Sequence, residues 1–222
     1  MTTLILDFGG VISRTLFETH ELTEKALGLS PGTLTWRGPF DPENDLLWQN
    51  MQQDIITERN YWETRTAEVA SLVNKDWRHM SEFVIAARGA NPEKVIRPEA
   101  SQMVTWCKEH NVRLAILSNE LDLFYGADFR DKLPLLKDFE VIIDATYSGI
   151  LKPATKAYEM CLEQLDEDAV NCVFVDDQKR NIDGAQKVNL NTVWFDVQQP
   201  KASYTKVQTL LTKLLNTGAT HA

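Results

Sequence analysis

Cysteine is scarce in this 222-residue chain: Cys107, Cys161 and Cys172 are widely spaced and form no CxxC pair. That spacing argues against a disulfide framework and against a zinc site, and leaves structural thiols in a reducing compartment. Histidine is also sparse. His20, His79, His110 and His221 are scattered, and no HExxH or similar ligand spacing joins them. No stretch stays apolar for the length a bilayer requires. The opening "MTTLILDFGG" has no basic region and meets an acid too early for a secretory signal. Positive charge is in deficit: 23 Lys and Arg against 32 Asp and Glu give a net charge of −9, which argues against a polyanionic nucleic-acid partner. No repeat and no low-complexity linker interrupts the chain. The expectation is a cytoplasmic enzyme or binding protein, monomeric or homodimeric, with no membrane and no nucleic-acid partner.

What is present is ordinary globular composition, 43% apolar and 25% charged residues, in a length suited to one large domain or a core with a smaller insertion. The second half alternates. "RPEASQMVTWCKEHN" has helical spacing with Pro98 suited to a first turn, and "VRLAILSNE" reads as a strand over 112–117. "FEVIIDA" supplies a short apolar run at 139–143, "TKAYEMCLEQL" a helix, and "CVFVDD" a strand closed by two acids. "NIDGAQKVN", "TVWFD" and "YTKVQTLLTKLLN" read as helix, strand and closing amphipathic helix. Such alternation predicts α/β architecture, a Rossmann-like parallel sheet covered by helices.

Residues from about 15 to 97 differ. "TLFETHELTEKALGLS" and "ITERNYWETRTAEVASLV" are amphipathic helices with no buried strand between them. They separate "LILD" from the other strands, which predicts a small all-helical insertion (15–97) after the first strand of a core formed by 1–14 and 98–222.

In "LILDFGGVI" an apolar run ends at Asp7, and Gly9 and Gly10 let the chain turn sharply. Taken alone, this is a strand end with an Asp beginning a turn. Asp176–Asp177 and Ser118–Asn119, taken alone, are helix caps, and Lys152 is a solvated lysine. Together they fall at the carboxyl ends of successive strands, the rim where ligands gather in parallel α/β sheets. Three acids on one rim repel one another unless a cation sits among them, and hard oxygen ligands of this kind suit magnesium.

These segments, in this order, resemble the haloacid dehalogenase superfamily, whose members are mostly magnesium-dependent phosphatases. "LILDFGGVI" matches its first motif, "LAILSNE" the second, Lys152 in "GILKP" the third, and "VFVDDQKRNIDGA" the fourth. The resemblance covers the core and places the helical block where the family inserts its cap. It implies that Asp7 is the nucleophile that forms an aspartyl-phosphate on a small phosphorylated metabolite. It also implies that Ser118 donates to a phosphoryl oxygen, that Lys152 neutralises charge, and that Gly10 and Asn119 meet the substrate. Mg²⁺ is then expected at Asp7, the backbone carbonyl of Gly9, and the pair Asp176 and Asp177, with Asp177 the more direct ligand. Asn181 and Asp183 could orient these ligands or Lys152, or be ordinary first-turn residues.

One departure matters. Most phosphatases of the family carry a second Asp two residues after the nucleophile, as general acid and base, and here that position is Gly9. Three explanations follow: a leaving group acidic enough to depart unprotonated, such as an anomeric or acyl phosphate, a proton from the cap or water, or weak activity. A 2-haloacid dehalogenase-like hydrolase is an alternative, with Arg37 as the carboxylate-binding arginine, and a binding protein that has lost turnover is another. In the helical block, "TWRGPFDPEND" is loop-like, so Trp36, Arg37 and Phe40 are the candidates for substrate contact. Trp48, Trp62 and Trp77 are expected to pack helices together.

Overall fold

A computed structural model describes residues 1–88 and 92–218; Gly89–Asn91, within the helical block, and His221 lie outside them. The chain divides into two compact units. One comprises Met1–Arg14, Ile96–Leu121 and the described chain from Leu133 on, and the other comprises Thr15–Val95 and Asp122–Lys132.

The first unit is built on five parallel strands: β1 (Thr3–Leu6), β2 (Arg113–Ser118), β3 (Val141–Asp144), β4 (Cys172–Asp176) and β5 (Asn191–Trp194). Their order across the sheet is β3-β2-β1-β4-β5, a Rossmann-like α/β arrangement. β1 lies at the centre because its four residues Thr-Leu-Ile-Leu are buried on both faces. Each such aliphatic side chain contributes about 1.5–3 kcal/mol on burial. Leu6 pairs with Ile116 on one side and Val175 on the other. The strand order reverses between β1 and β4, and a sheet of this kind opens a crevice at that point, beyond the carboxyl ends of the strands.

Helices α5 (Pro98–Glu109), α8 (Thr155–Leu165), α9 (Lys179–Gln186) and α10 (Pro200–Gly218) belong to this unit, with the short α7 (Ala145–Ser148) after β3. Pro98 does occupy the first turn of α5, where its missing N–H costs nothing. Ile5, Leu117, Tyr158, Phe174 and Ile182 form much of one core cluster with Cys161 and Cys172. All three cysteines are free and buried, and burial pushes each thiol up to about 12. They are apolar filling rather than nucleophiles.

The second unit contains α1 (His20–Leu27), α2 (Leu46–Gln52), α3 (Glu58–Leu72) and α4 (Met80–Arg88), and takes in most of α6 (Leu121–Tyr125). Asp45 caps α2 by accepting from the Trp48 amide, and Thr57 caps α3 through the Asn60 amide. Phe17 is the hub of its core, with ring centroids 5.5 Å from Trp36, 5.3 Å from Trp48 and 5.4 Å from Trp62. Trp62 also meets Phe124 edge-on at 5.2 Å, which explains why the segment 122–132 belongs with these helices despite its distance in sequence. A buried ion pair, Arg65 to Asp45 at 2.6 Å, lies beside the same rings. Among the described residues no helix is long and apolar enough to cross a membrane.

Candidate active site

The chain leaves β1 at Asp7, whose amide still donates to the Val175 carbonyl at 2.9 Å, so the carboxylate stands at the very end of the central ladder. Phe8–Ile12 then turns irregularly. Gly10 adopts φ 79° and ψ −30°, a left-handed conformation that favours glycine. A second constraint acts there: a Cβ on Gly10 would lie 2.7 Å from Oδ2 of Asp177 and 2.9 Å from its Cγ. The Asp177 carboxylate therefore rests on the face of Gly10, and no other residue type leaves it that space. Gly9 contrasts with its neighbour. It is exposed at φ −70°, an ordinary value for any residue, and nothing lies within 4 Å of a Cβ placed on it.

Lys152 arrives from the loop after α7. Its side chain is only 2% exposed, and its Nζ donates to Oδ1 of Asp7 at 2.8 Å and to Oδ2 of Asp176 at 2.7 Å. Burial by itself opposes the ammonium form, but the charges of Asp176 and then Asp7 outweigh it and raise the pKa above the ordinary lysine value. Lys152 is thus a fixed positive charge. Asp176, fully buried at the end of β4, also accepts from the Gln178 amide at 2.8 Å and from Nδ2 of Asn181 at 3.1 Å. Asn181, in α9, is itself held from α8, whose Tyr158 hydroxyl donates to its carbonyl at 2.7 Å. Gly184, one turn further on, lets α9 approach Pro153, whose carbonyl oxygen would lie 2.5 Å from an added Cβ.

The structure brings Asp7, Lys152, Asp176 and Asp177 together, with Gly10 under Asp177. Ser118 is buried at the end of β2, the strand beside β1. Asn119 follows Ser118 at the end of β2. Both its carboxamide atoms engage the Lys152 backbone, Nδ2 to the carbonyl at 3.1 Å and Oδ1 from the amide at 2.7 Å, so it holds the lysine in place. Asp183 is exposed and pairs with Lys179 one turn away, not with the acids or Lys152. In the helical unit Trp36 is buried in the ring cluster, edge-on to His20 at 4.3 Å, while Arg37 and Phe40 are exposed. Trp36 also lines a cavity of about 380 Å³ with Asp45, Leu47 and Arg65.

Carboxylate oxygens of Asp7, Asp176 and Asp177 all lie within 4.8 Å of one another. Three hard oxygen donors at that spacing, with one lysine among them, fit a small divalent cation such as Mg²⁺ in donor type and in charge, and offer nothing soft that would favour zinc. Two groups that the sequence did not single out also reach this region. Arg97 donates to the Gly10 carbonyl, and the Trp194 indole donates to the Asp177 carbonyl.

The family model for haloacid dehalogenase-like hydrolases matches residues 1–189, and the chain belongs to that family of hydrolases. Among curated proteins it is similar to mouse acyl-CoA dehydrogenase family member 10, 27% identical over 115 residues. That match takes in 51% of this chain and 10% of the relative, so the chain spans about a tenth of the relative's length. Its fold resembles a haloacid dehalogenase-family phosphatase from Thermococcus onnurineus, at TM-score 0.53 and 18% identity, over 88% of this chain and 86% of that one. It equally resembles L-2-haloacid dehalogenase from Xanthobacter autotrophicus, at TM-score 0.58 and 19% identity, over 88% and 77%.

Proposed function

We propose that this chain is a magnesium-dependent phosphatase of small phosphorylated metabolites, working through an aspartyl-phosphate on Asp7. The observation that carries the reading is the cluster itself: three carboxylates and a buried, charged lysine at the carboxyl ends of β1 and β4. A haloacid substrate needs one nucleophilic carboxylate and no cation, so the paired acids Asp176 and Asp177 favour the phosphatase.

In this reading an oxygen of Asp7 attacks phosphorus, the bond from phosphorus to the leaving oxygen breaks, and that oxygen departs with the electron pair. Water then attacks the phosphorus of the aspartyl-phosphate, releasing inorganic phosphate and restoring the carboxylate. Asp7, Asp177, the Gly9 carbonyl and Asp176 would hold a Mg²⁺, which would supply charge neutralisation on the phosphoryl oxygens. Lys152 fixes the attacking carboxylate and offsets its charge, and Ser118 donates to a phosphoryl oxygen. The helical unit is the cap in this scheme, and the exposed Arg37 and Phe40 are its candidates for substrate contact; Trp36 serves its packing.

Gly9 narrows the substrate. Its backbone and surroundings would accept an aspartate, so packing does not dictate the missing proton donor. A leaving group that departs as a stable anion requires none, which favours acyl and anomeric sugar phosphates over alkyl phosphates.

The test is hydrolysis by the purified chain of a panel spanning acyl, anomeric and alkyl phosphates and 2-haloacids, with Mg²⁺ and with EDTA. Phosphate release that stops in EDTA supports the reading. Halide release that persists in EDTA establishes the dehalogenase instead, and inactivity on the whole panel overturns both.

A further inference from the structure

The position of Asp177 is fixed by two pieces of backbone, its own and that of Gly10, because its carboxylate rests against the Gly10 face. Each piece is tied down by a side chain that carries no acid. On the Gly10 side, three consecutive carbonyls are engaged. Arg97, 3% exposed, donates from Nε to the Gly10 carbonyl at 2.9 Å, and its amide donates to the Ile12 carbonyl at 2.9 Å. The Tyr204 hydroxyl donates to the Val11 carbonyl at 3.1 Å. Phe195 supports both donors, 5.6 Å beneath the Arg97 guanidinium and 5.1 Å from the Tyr204 ring.

On the Asp177 side, the Trp194 indole N–H donates to the Asp177 carbonyl at 2.8 Å. Trp194 ends β5 in register with Asp176 and is 50% exposed. A half-exposed indole at a strand end could give its N–H to water, and a surface hydrogen bond of this sort contributes little to folding. The Trp194 indole N–H is directed instead at the backbone of the third carboxylate.

We infer that Trp194 and Arg97 are positioning residues for the carboxylate cluster, clamping the Asp177 and Gly10 backbones so that Asp177 meets Asp7 and Asp176 at ligand distance. The inference rests on the reading of that cluster as a magnesium site. Groups of this kind, which orient ligands without binding the metal, typically change affinity by about 10- to 100-fold when removed.

The test uses the full chain and MgCl₂ alone. Trp194→Phe keeps the ring and deletes the donor at an exposed position, so folding is preserved; its metal-free melting temperature should fall by no more than about 4 °C, as for loss of one hydrogen bond. The chain has six tryptophans, and the indole resonance missing from the ¹⁵N–¹H spectrum of Trp194→Phe identifies Trp194. That resonance should shift as Mg²⁺ is added to the wild type, and calorimetry should show Mg²⁺ binding at least about 10-fold weaker in Trp194→Phe. Arg97→Lys should weaken it in the same direction. A wild type that binds no Mg²⁺ overturns the metal reading. A wild type that binds it, with an unmoved Trp194 resonance or an unchanged affinity in Trp194→Phe, overturns the positioning role alone.

Discussion

The ammonium of Lys152 lies 2.8 Å from a carboxylate oxygen of Asp7, although 145 residues separate the two in the chain. This buried pair joins the loop after α7 to the tip of the central strand. Removing one partner leaves charge in a place that water reaches poorly. Lys152→Met is expected to destabilise the chain by about 3–5 kcal/mol, the usual effect of breaking a buried pair. It should also lower kcat at least about 10²-fold, since the fixed positive charge beside the nucleophile is lost. Urea denaturation and steady-state kinetics check the two effects separately.

Gly10→Ala tests the contact beneath Asp177. A methyl group there meets Oδ2 of Asp177 at 2.7 Å, on a residue already at φ 79°. The left-handed conformation alone costs a non-glycine residue roughly 1–2 kcal/mol, and the clash pushes the carboxylate away. Mg²⁺ binding by calorimetry should weaken strongly, and denaturation should show the strain. A fully active Gly10→Ala with wild-type affinity would contradict the site as described.

Gly9→Asp should behave oppositely. The position is open and its backbone conformation is common to all residues, so the variant is expected to fold with wild-type stability. Turnover of alkyl phosphates should rise, by up to about 10²-fold if the new acid protonates the leaving oxygen. Acetyl phosphate, which leaves without a proton, should change little. Equal effects on both substrates would contradict the leaving-group explanation.

The helical unit carries an acid-sensitive group. His20 is 4% exposed, its two ring nitrogens have no hydrogen-bond partner among the described residues, and burial followed by the charge of Arg37 lowers its pKa from 6.5 to about 4. Between those values the unfolded chain takes up a proton that the folded chain refuses. The stability present above pH 6.5 therefore declines as pH falls towards 4, by at most about 1.4 kcal/mol per unit and less where solvent screens the charge. His20→Phe should flatten this decline, measured as the difference in urea midpoint between pH 7 and pH 5. Equal pH dependence in the two chains would contradict it.

The sheet was legible because its strands are short apolar runs between helix-patterned segments, and "CVFVDD" announces both the buried strand and the acids that end it. Boundaries moved slightly: β2 runs 113–118 rather than 112–117, and β3 runs 141–144 rather than 139–143. Asp7, Lys152, Asp176 and Asp177 were legible through their order along the chain. Groups that act across the fold were not. Arg97 reads as the residue before a helix-starting proline, and its partner Gly10 is 87 residues away. Trp194 sits in the strand segment "TVWFD", and nothing in that run shows that half of it is exposed. Nothing local to Asn119 shows that its carboxamide fits the Lys152 backbone. Periodicity finds faces, whereas these residues are defined by single directed hydrogen bonds.

The most direct measurement is chemical trapping on Asp7. The chain is mixed with Mg²⁺ and acetyl phosphate, quenched in the steady state and treated with borohydride, which reduces an acyl phosphate to an alcohol. Peptide mass spectrometry should then find homoserine at position 7 and nowhere else, and none when EDTA replaces Mg²⁺. Phosphate release with an unmodified Asp7, or activity that survives Asp7→Asn, would contradict a phosphoryl group carried by that carboxylate.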